Sequence, residues 1–125
     1  MNATTREISN SDDIIDSHDI IERIAYLENA LDVPENDRDE DEARELAALR
    51  NLAEQGETFE DWQYGVALIR DSYFVTYAEE LAEDIGAIDR NASWPLRHID
   101  WEAAADELQT DYTSVEFDGV TYWAR

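Results

Sequence analysis

The chain has 125 residues, with 32 Asp and Glu against nine Arg and no Lys, a formal net charge of −23. That length supports one domain, or one domain with an appended helical hairpin. The charge excludes the usual route to nucleic acid, in which Lys and Arg neutralise phosphates. The absence of cysteine excludes a disulfide scaffold, a thiolate metal site and a cysteine nucleophile, and fits a reducing cytoplasm.

The opening stretch, MNATTREISNSDDIID, has no apolar run behind a basic region, so no signal peptide is expected there. No apolar run approaches a membrane span, and anionic lipid would repel the acidic surface. A cytoplasmic protein is the expectation. Acidic disordered chains are poor in aromatics, whereas this one has four Trp, six Tyr and three Phe. A folded acidic body is therefore expected, rather than an acidic tail.

Residues 1–10 show no periodicity and read as a frayed tail. Asp16 or Ser17 caps a helix to about Leu31, with Ile20, Ile24, Leu27 and Leu31 on one stripe. Pro34 ends that segment. A second helix is expected from about Asp39 to Gln55, presenting Leu46, Leu49, Leu52 and Ala53, with Gly56 as its stop. The two stripes predict an acidic, antiparallel helical hairpin over 11–56. Thr58 and Asp61 have capping-box spacing, and a helix through Trp62, Val66 and Ile69 would follow. Asp71 or Ser72 would cap a helix carrying Phe74, Tyr77, Ala78, Leu81, Ala82 and Ile85, ended by Gly86. Trp94-Pro95 marks a loop, and Asp100 caps a short helix through Trp101, Ala104, Ala105 and Leu108. TSVEF and VTYWA around Asp118-Gly119 give the strongest hairpin signal, with Val115 and Phe117 on one face. The fold class predicted is α+β and mostly helical: the N-terminal hairpin, then a small helical domain over 58–125 that ends in a β-hairpin.

Sites of familiar chemistry fail on their spacing. Asp37-Arg38-Asp39-Glu40-Asp41 opens like a calcium loop, but Glu42 stands where Gly is required and Ala48 where a bidentate Glu is required. His18 and His98 are read without a metal-ligand partner, and His98 as a packing or capping residue. No serine has a nucleophile-elbow context, and no glycine-rich loop is present to cradle phosphate. No enzyme, cofactor or metal is expected. Trp62, Tyr64, Tyr73, Phe74, Tyr77, Trp94, Trp101, Phe117, Tyr122 and Trp123 are read as core.

Two explanations of the charge remain. Carboxylate-rich surfaces without Lys occur in halophilic proteins. Alternatively, the carboxylates imitate phosphates: an excess of 23 matches the charge of roughly twelve base pairs. Helices hold side chains one turn apart at about 5–6 Å between Cβ atoms. The strips expected to act this way are Asp37, Asp39, Glu40, Asp41, Glu42 and Glu45, and Glu79, Glu80, Glu83, Asp84 and Asp89.

From about Asp71 onward the order Tyr77-Ala78-Glu79, Leu81-Ala82, Gly86, Ile99-Asp100-Trp101-Glu102, Leu108, Asp111-Tyr112 and Asp118-Gly119 resembles the C-terminal region of ArdA-type antirestriction proteins of phages and mobile elements. The resemblance covers about half the chain, and its motifs are ordinary helix and turn residues in a matching order. It implies a cofactor-free, homodimeric DNA mimic that associates through its C-terminal part. Its partner would be a DNA-binding defence protein with a basic cleft: a type I restriction-modification enzyme first, a CRISPR effector as the alternative. ArdA proteins are longer and carry mixed domains in front, whereas 11–56 here reads as a helical hairpin. An acidic module that binds one basic partner without imitating DNA is the other reading of the same surface.

Overall fold

A computed structural model describes residues 7–89, 91, 93–95 and 97–125. The elements in chain order are β1 (Ile14–Asp16), α1 (Ser17–Ala30), a 3-10 turn (Glu35–Asp37), α2 (Glu40–Gly56), β2 (Ala67–Arg70), a second 3-10 turn (Asp71–Tyr73), α3 (Phe74–Asp84), α4 (Trp101–Gln109), β3 (Thr113–Phe117) and β4 (Val120–Ala124). The four strands form one antiparallel sheet in the order β1-β2-β4-β3. The α+β class expected from the sequence is the one observed.

Strand alternation divides the core, because successive side chains face opposite sides of a sheet. One face carries Ile15, Leu68, Val115, Phe117, Tyr122 and Ala124, which pack with Ile20 and Leu27 of α1 and Leu46, Leu49 and Leu52 of α2. The other carries Ile69 and Trp123, which pack with Phe74, Tyr77 and Ala78 of α3, Ala105 and Leu108 of α4, and Tyr112. Phe74 meets the Tyr112 ring edge-on at 5.2 Å, and the Tyr77 and Tyr112 hydroxyls share a 2.9 Å hydrogen bond. Burial, helped by that bond, pushes the Tyr112 phenol up to about 12. Among the described residues the helices thus lie on both faces of the sheet, α1 and α2 on one and α3 and α4 on the other.

Local chemistry explains the helix starts. Asp16 caps α1 by accepting from the His18 amide, Asp39 caps α2 by accepting from the Asp41 and Glu42 amides, and Asp100 caps α4 by accepting from the Ala103 amide. Ser17 is not a cap. Its buried hydroxyl donates to the Trp62 carbonyl and accepts from the Val66 amide, fixing the start of α1 to the chain just beyond α2. At the hairpin, Asp118 and Gly119 both have positive φ, 49° and 82°, the requirement of a type I′ turn. On the outer edge of the sheet, the Gln55 side chain donates to the Glu116 carbonyl and accepts from its amide.

Several expectations are corrected. The frayed tail is half wrong where it is described: Ile8 is buried, its amide donates to Glu45, and the Asn10 side chain donates to the Asp118 carbonyl. Its residues 1–6 lie outside the described residues. The division into 11–56 and 58–125 does not produce two bodies, since β1 pairs with β2 and one core joins α1 and α2 to β4. The helix through Trp62, Val66 and Ile69 is absent. Gly65 adopts φ +131°, which ends any helix there, and the apolar run beyond it becomes β2. The Thr58–Asp61 capping box does not form, because Thr58 donates back to the Gln55 carbonyl. Neither Asp71 nor Ser72 caps α3: Asp71 accepts from the Trp123 indole and Ser72 bonds Arg70. Gly56 closes α2 without a left-handed turn and is needed for space, since an added Cβ would lie 2.4 Å from the Trp62 ring. Tyr64, Ile85 and Trp94, read as core or as part of a buried stripe, are 76%, 70% and 72% exposed.

Candidate functional site: two carboxylate surfaces

The acids at 37–45 are explained by the helix they begin. Asp39 is the cap, and Glu40, Asp41 and Glu42 occupy the first turn of α2, where amide dipoles stabilise negative charge by about 0.3–1 kcal/mol each. Asp37 ends the preceding 3-10 turn and is exposed. Glu45 does not belong to this surface. It faces inward and grips Arg23 bidentately, at 2.7 Å to Nε and 2.8 Å to Nη2. The Glu45 carboxylate keeps the Arg23 pKa above its ordinary value through that hydrogen bond, against the opposing effect of burial. Arg23 also lies 5.0 Å from the Tyr26 ring centre. A buried arginine inside an apolar stripe was missed in the sequence; its place beside Ile20, Ile24 and Leu27 was the available signal.

The acids of α3 have no such account. The first turn of α3 contains no acid and its last turn no base. Its carboxylates run from the middle of the helix to its end, Glu79, Glu80, Glu83 and Asp84, and the last two sit in the final turn, where the helix dipole disfavours them. Glu79 with Glu83, and Glu80 with Asp84, are like charges at i and i+4, each pair opposing the helix by about 0.2–0.5 kcal/mol. Glu79, Glu80 and Asp84 are exposed and Glu83 is half-buried. Glu80 accepts a 2.9 Å hydrogen bond from the Tyr73 hydroxyl. Beyond the helix, exposed Asp89 accepts from the Asn91 amide.

The two strips are not brought together. α2 belongs to one face of the sheet and α3 to the other, so the sheet lies between them. Each is a separate acidic surface.

The remaining candidates are small. His18, Asp19 and Glu22 place one ligand atom each within 4.8 Å, with His18 Nδ1 3.7 Å from Glu22. This corrects the expectation that His18 has no partner at helical spacing; all three are exposed. His98 is exposed and does not cap α4, which Asp100 does. Open grooves are found among the described residues. One lies between the end of α1 and α2, lined by Glu28, Asp32, Arg38 and Arg50. Another lies between residues 7–10, α2 and the β3–β4 turn. Neither is lined by a histidine. No helix among the described residues is long and apolar enough to cross a membrane. No protein-family model, curated protein or solved structure matches the chain.

Proposed function

We propose that this protein is a DNA-mimicking inhibitor that occupies the DNA-binding groove of a host defence complex and blocks access of DNA. The supporting observation is the set of carboxylates on α3, paired as like charges one turn apart, with Glu83 and Asp84 in the last turn where the helix dipole disfavours them. Departures from local electrostatic preference concentrate at functional positions. The resemblance of residues 71–125 to ArdA-type antirestriction proteins names the first target, a type I restriction-modification enzyme, and implies a cytoplasmic homodimer. A CRISPR effector is the second target to try.

The mechanism is competitive. The net charge of −23 speeds encounter with a basic cleft, and distributed carboxylates then replace phosphates. The test is displacement of labelled DNA from a purified type I methyltransferase core. Changing Glu79, Glu80, Glu83 and Asp84 together to their amides abolishes displacement, while any single change alters it little. Displacement should weaken steeply with added salt. Tight binding of the protein to the enzyme without loss of DNA would refute imitation. That outcome would favour the other reading, an acidic module for one basic partner, which separation of the strips by the sheet also suits.

A further inference from the structure

The start of α1 carries a chemistry that the acidic strips do not. His18, Asp19 and Glu22 stand at i, i+1 and i+4 of that helix, and residues four apart on a helix are neighbours. Their ligand atoms, one from each side chain, all lie within 4.8 Å of one another, and His18 Nδ1 is 3.7 Å from Glu22 Oε1. With 32 Asp and Glu in the chain, chance groupings of acids would be expected in number. Among the described residues, however, this is the one set of three candidate ligands that converges so closely. It includes one of the two histidines of the chain. The helix start does not need the imidazole: Asp16 is the cap, and it accepts from the His18 backbone amide. Asp19, as a first-turn acid, suits the helix dipole, whereas an imidazole at that end gains nothing from it.

Donor chemistry, rather than net charge, singles the site out. An imidazole nitrogen beside carboxylate oxygens suits zinc-class divalent ions, whereas magnesium and calcium take oxygen ligands. Zinc holds such ligands at about 2.0–2.2 Å, so two ligands of one ion stand no more than roughly 4.2 Å apart. The 3.7 Å between His18 and Glu22 falls inside that span. All three side chains are exposed, and a small rotation brings Asp19 within reach. We propose that His18, Asp19 and Glu22 form a surface site for a zinc-class divalent cation. His18 Nδ1 is the nitrogen ligand, each carboxylate gives one oxygen, and water completes a tetrahedral shell. The amide dipoles at the start of α1 oppose a cation, and the Asp16 and Asp19 carboxylates offset them. Arg23, next to Glu22 in the chain, does not compete, because it is turned inward onto Glu45. The bound ion cross-links the first turns of α1, just beyond β1. The site is independent of DNA imitation, since it uses neither acidic strip.

Titration of the full chain with zinc in millimolar magnesium tests this, because magnesium in excess occupies sites made of carboxylates alone. Wild type binds one zinc ion that magnesium does not displace. In proton NMR the ring signals of His18 shift as zinc is added, while those of His98, the other histidine and also exposed, stay in place. His18→Ala and Glu22→Gln each weaken binding at least about tenfold, the lower end of what disturbing even the support of a metal ligand costs. His98→Ala leaves binding unchanged. Zinc raises the melting temperature of wild type and not that of His18→Ala; the same melting curves check that both are folded. Equal zinc affinity of wild type and His18→Ala overturns the proposal. So does loss of all zinc binding in excess magnesium, because ordinary association with carboxylates would then account for it. A shift of the His98 signals in place of those of His18 overturns it as well.

Discussion

Gly56→Ala should destabilise this protein, although the same change in a helix is ordinarily favourable. Ala exceeds Gly in helix propensity by about 0.5–1 kcal/mol. At Gly56, however, a Cβ would lie 2.4 Å from Trp62 Cε3 and Cζ3 and 2.6 Å from Cη2. Carbon atoms pack best at about 3.5–4.0 Å, so the indole would have to retreat by roughly 1 Å. It has little room to do so, being only 9% exposed, with its carbonyl held by the Ser17 hydroxyl. Overpacking of this kind costs about 1–3 kcal/mol, so net destabilisation of about 1–2 kcal/mol remains. That corresponds to a fall in melting temperature of roughly 4 °C per kcal/mol for a domain of this size. Thermal unfolding followed by circular dichroism measures it. Repeating the change in a Trp62→Leu background should remove the penalty and restore the helix gain. A Gly56→Ala variant that melts at or above wild type, with Trp62 intact, would refute the reasoning.

Three further outcomes are expected. Asp84→Asn removes a negative charge from the last turn of α3 and should stabilise the fold by about 0.3–1 kcal/mol; a lower urea midpoint would contradict the electrostatic account of that helix. Glu45→Ala leaves the buried Arg23 without its bidentate carboxylate and should cost about 3 kcal/mol, much of it recovered by Arg23→Met with Glu45→Leu. Equal stability of Glu45→Ala and wild type would show that the pair contributes nothing. Finally, burial pushes the phenols of Tyr112 and Tyr122 up to about 12, against about 10 in an unfolded chain. The folded state holds these protons more tightly, so the stability they contribute is complete below about pH 10 and is lost as pH rises through about 12. Tyrosinate absorbance read beside circular dichroism tests this: all tyrosines ionising near pH 10 in a folded protein would exclude it.

The sequence foretold the elements whose signals are local. The stripe Ile20, Ile24, Leu27 and Leu31, the stripe Leu46, Leu49 and Leu52, and the Asp118-Gly119 turn each depend on neighbours a few residues away. β1 and β2 were not legible, because Ile14–Asp16 is short and acquires strand character only by pairing with Ala67–Ile69. The apolar run at 66–69 suits a buried strand or a helix equally, and Gly65 decided between them. The acidic strips were legible as composition but not as roles. Only the structure withdraws Glu45 to the interior, assigns Asp39 to capping, and sets the α3 acids as like charges one turn apart.

The bond between Gln55 and the outer edge of the sheet has a consequence for colloidal behaviour. In an antiparallel hairpin, alternate residues of the outer strand point their amide and carbonyl groups away from their partner. Glu116 is one of these on β3, and both its groups are occupied by Gln55. An exposed strand edge is a template for another strand, and here charge repulsion and the amide seal oppose that addition together. They respond differently to acid. Near the isoelectric point of about 4.1 repulsion between copies vanishes, whereas a neutral carboxamide keeps its bonds. Under acidic conditions, Gln55 would remain as the guard of the β3 edge at Glu116.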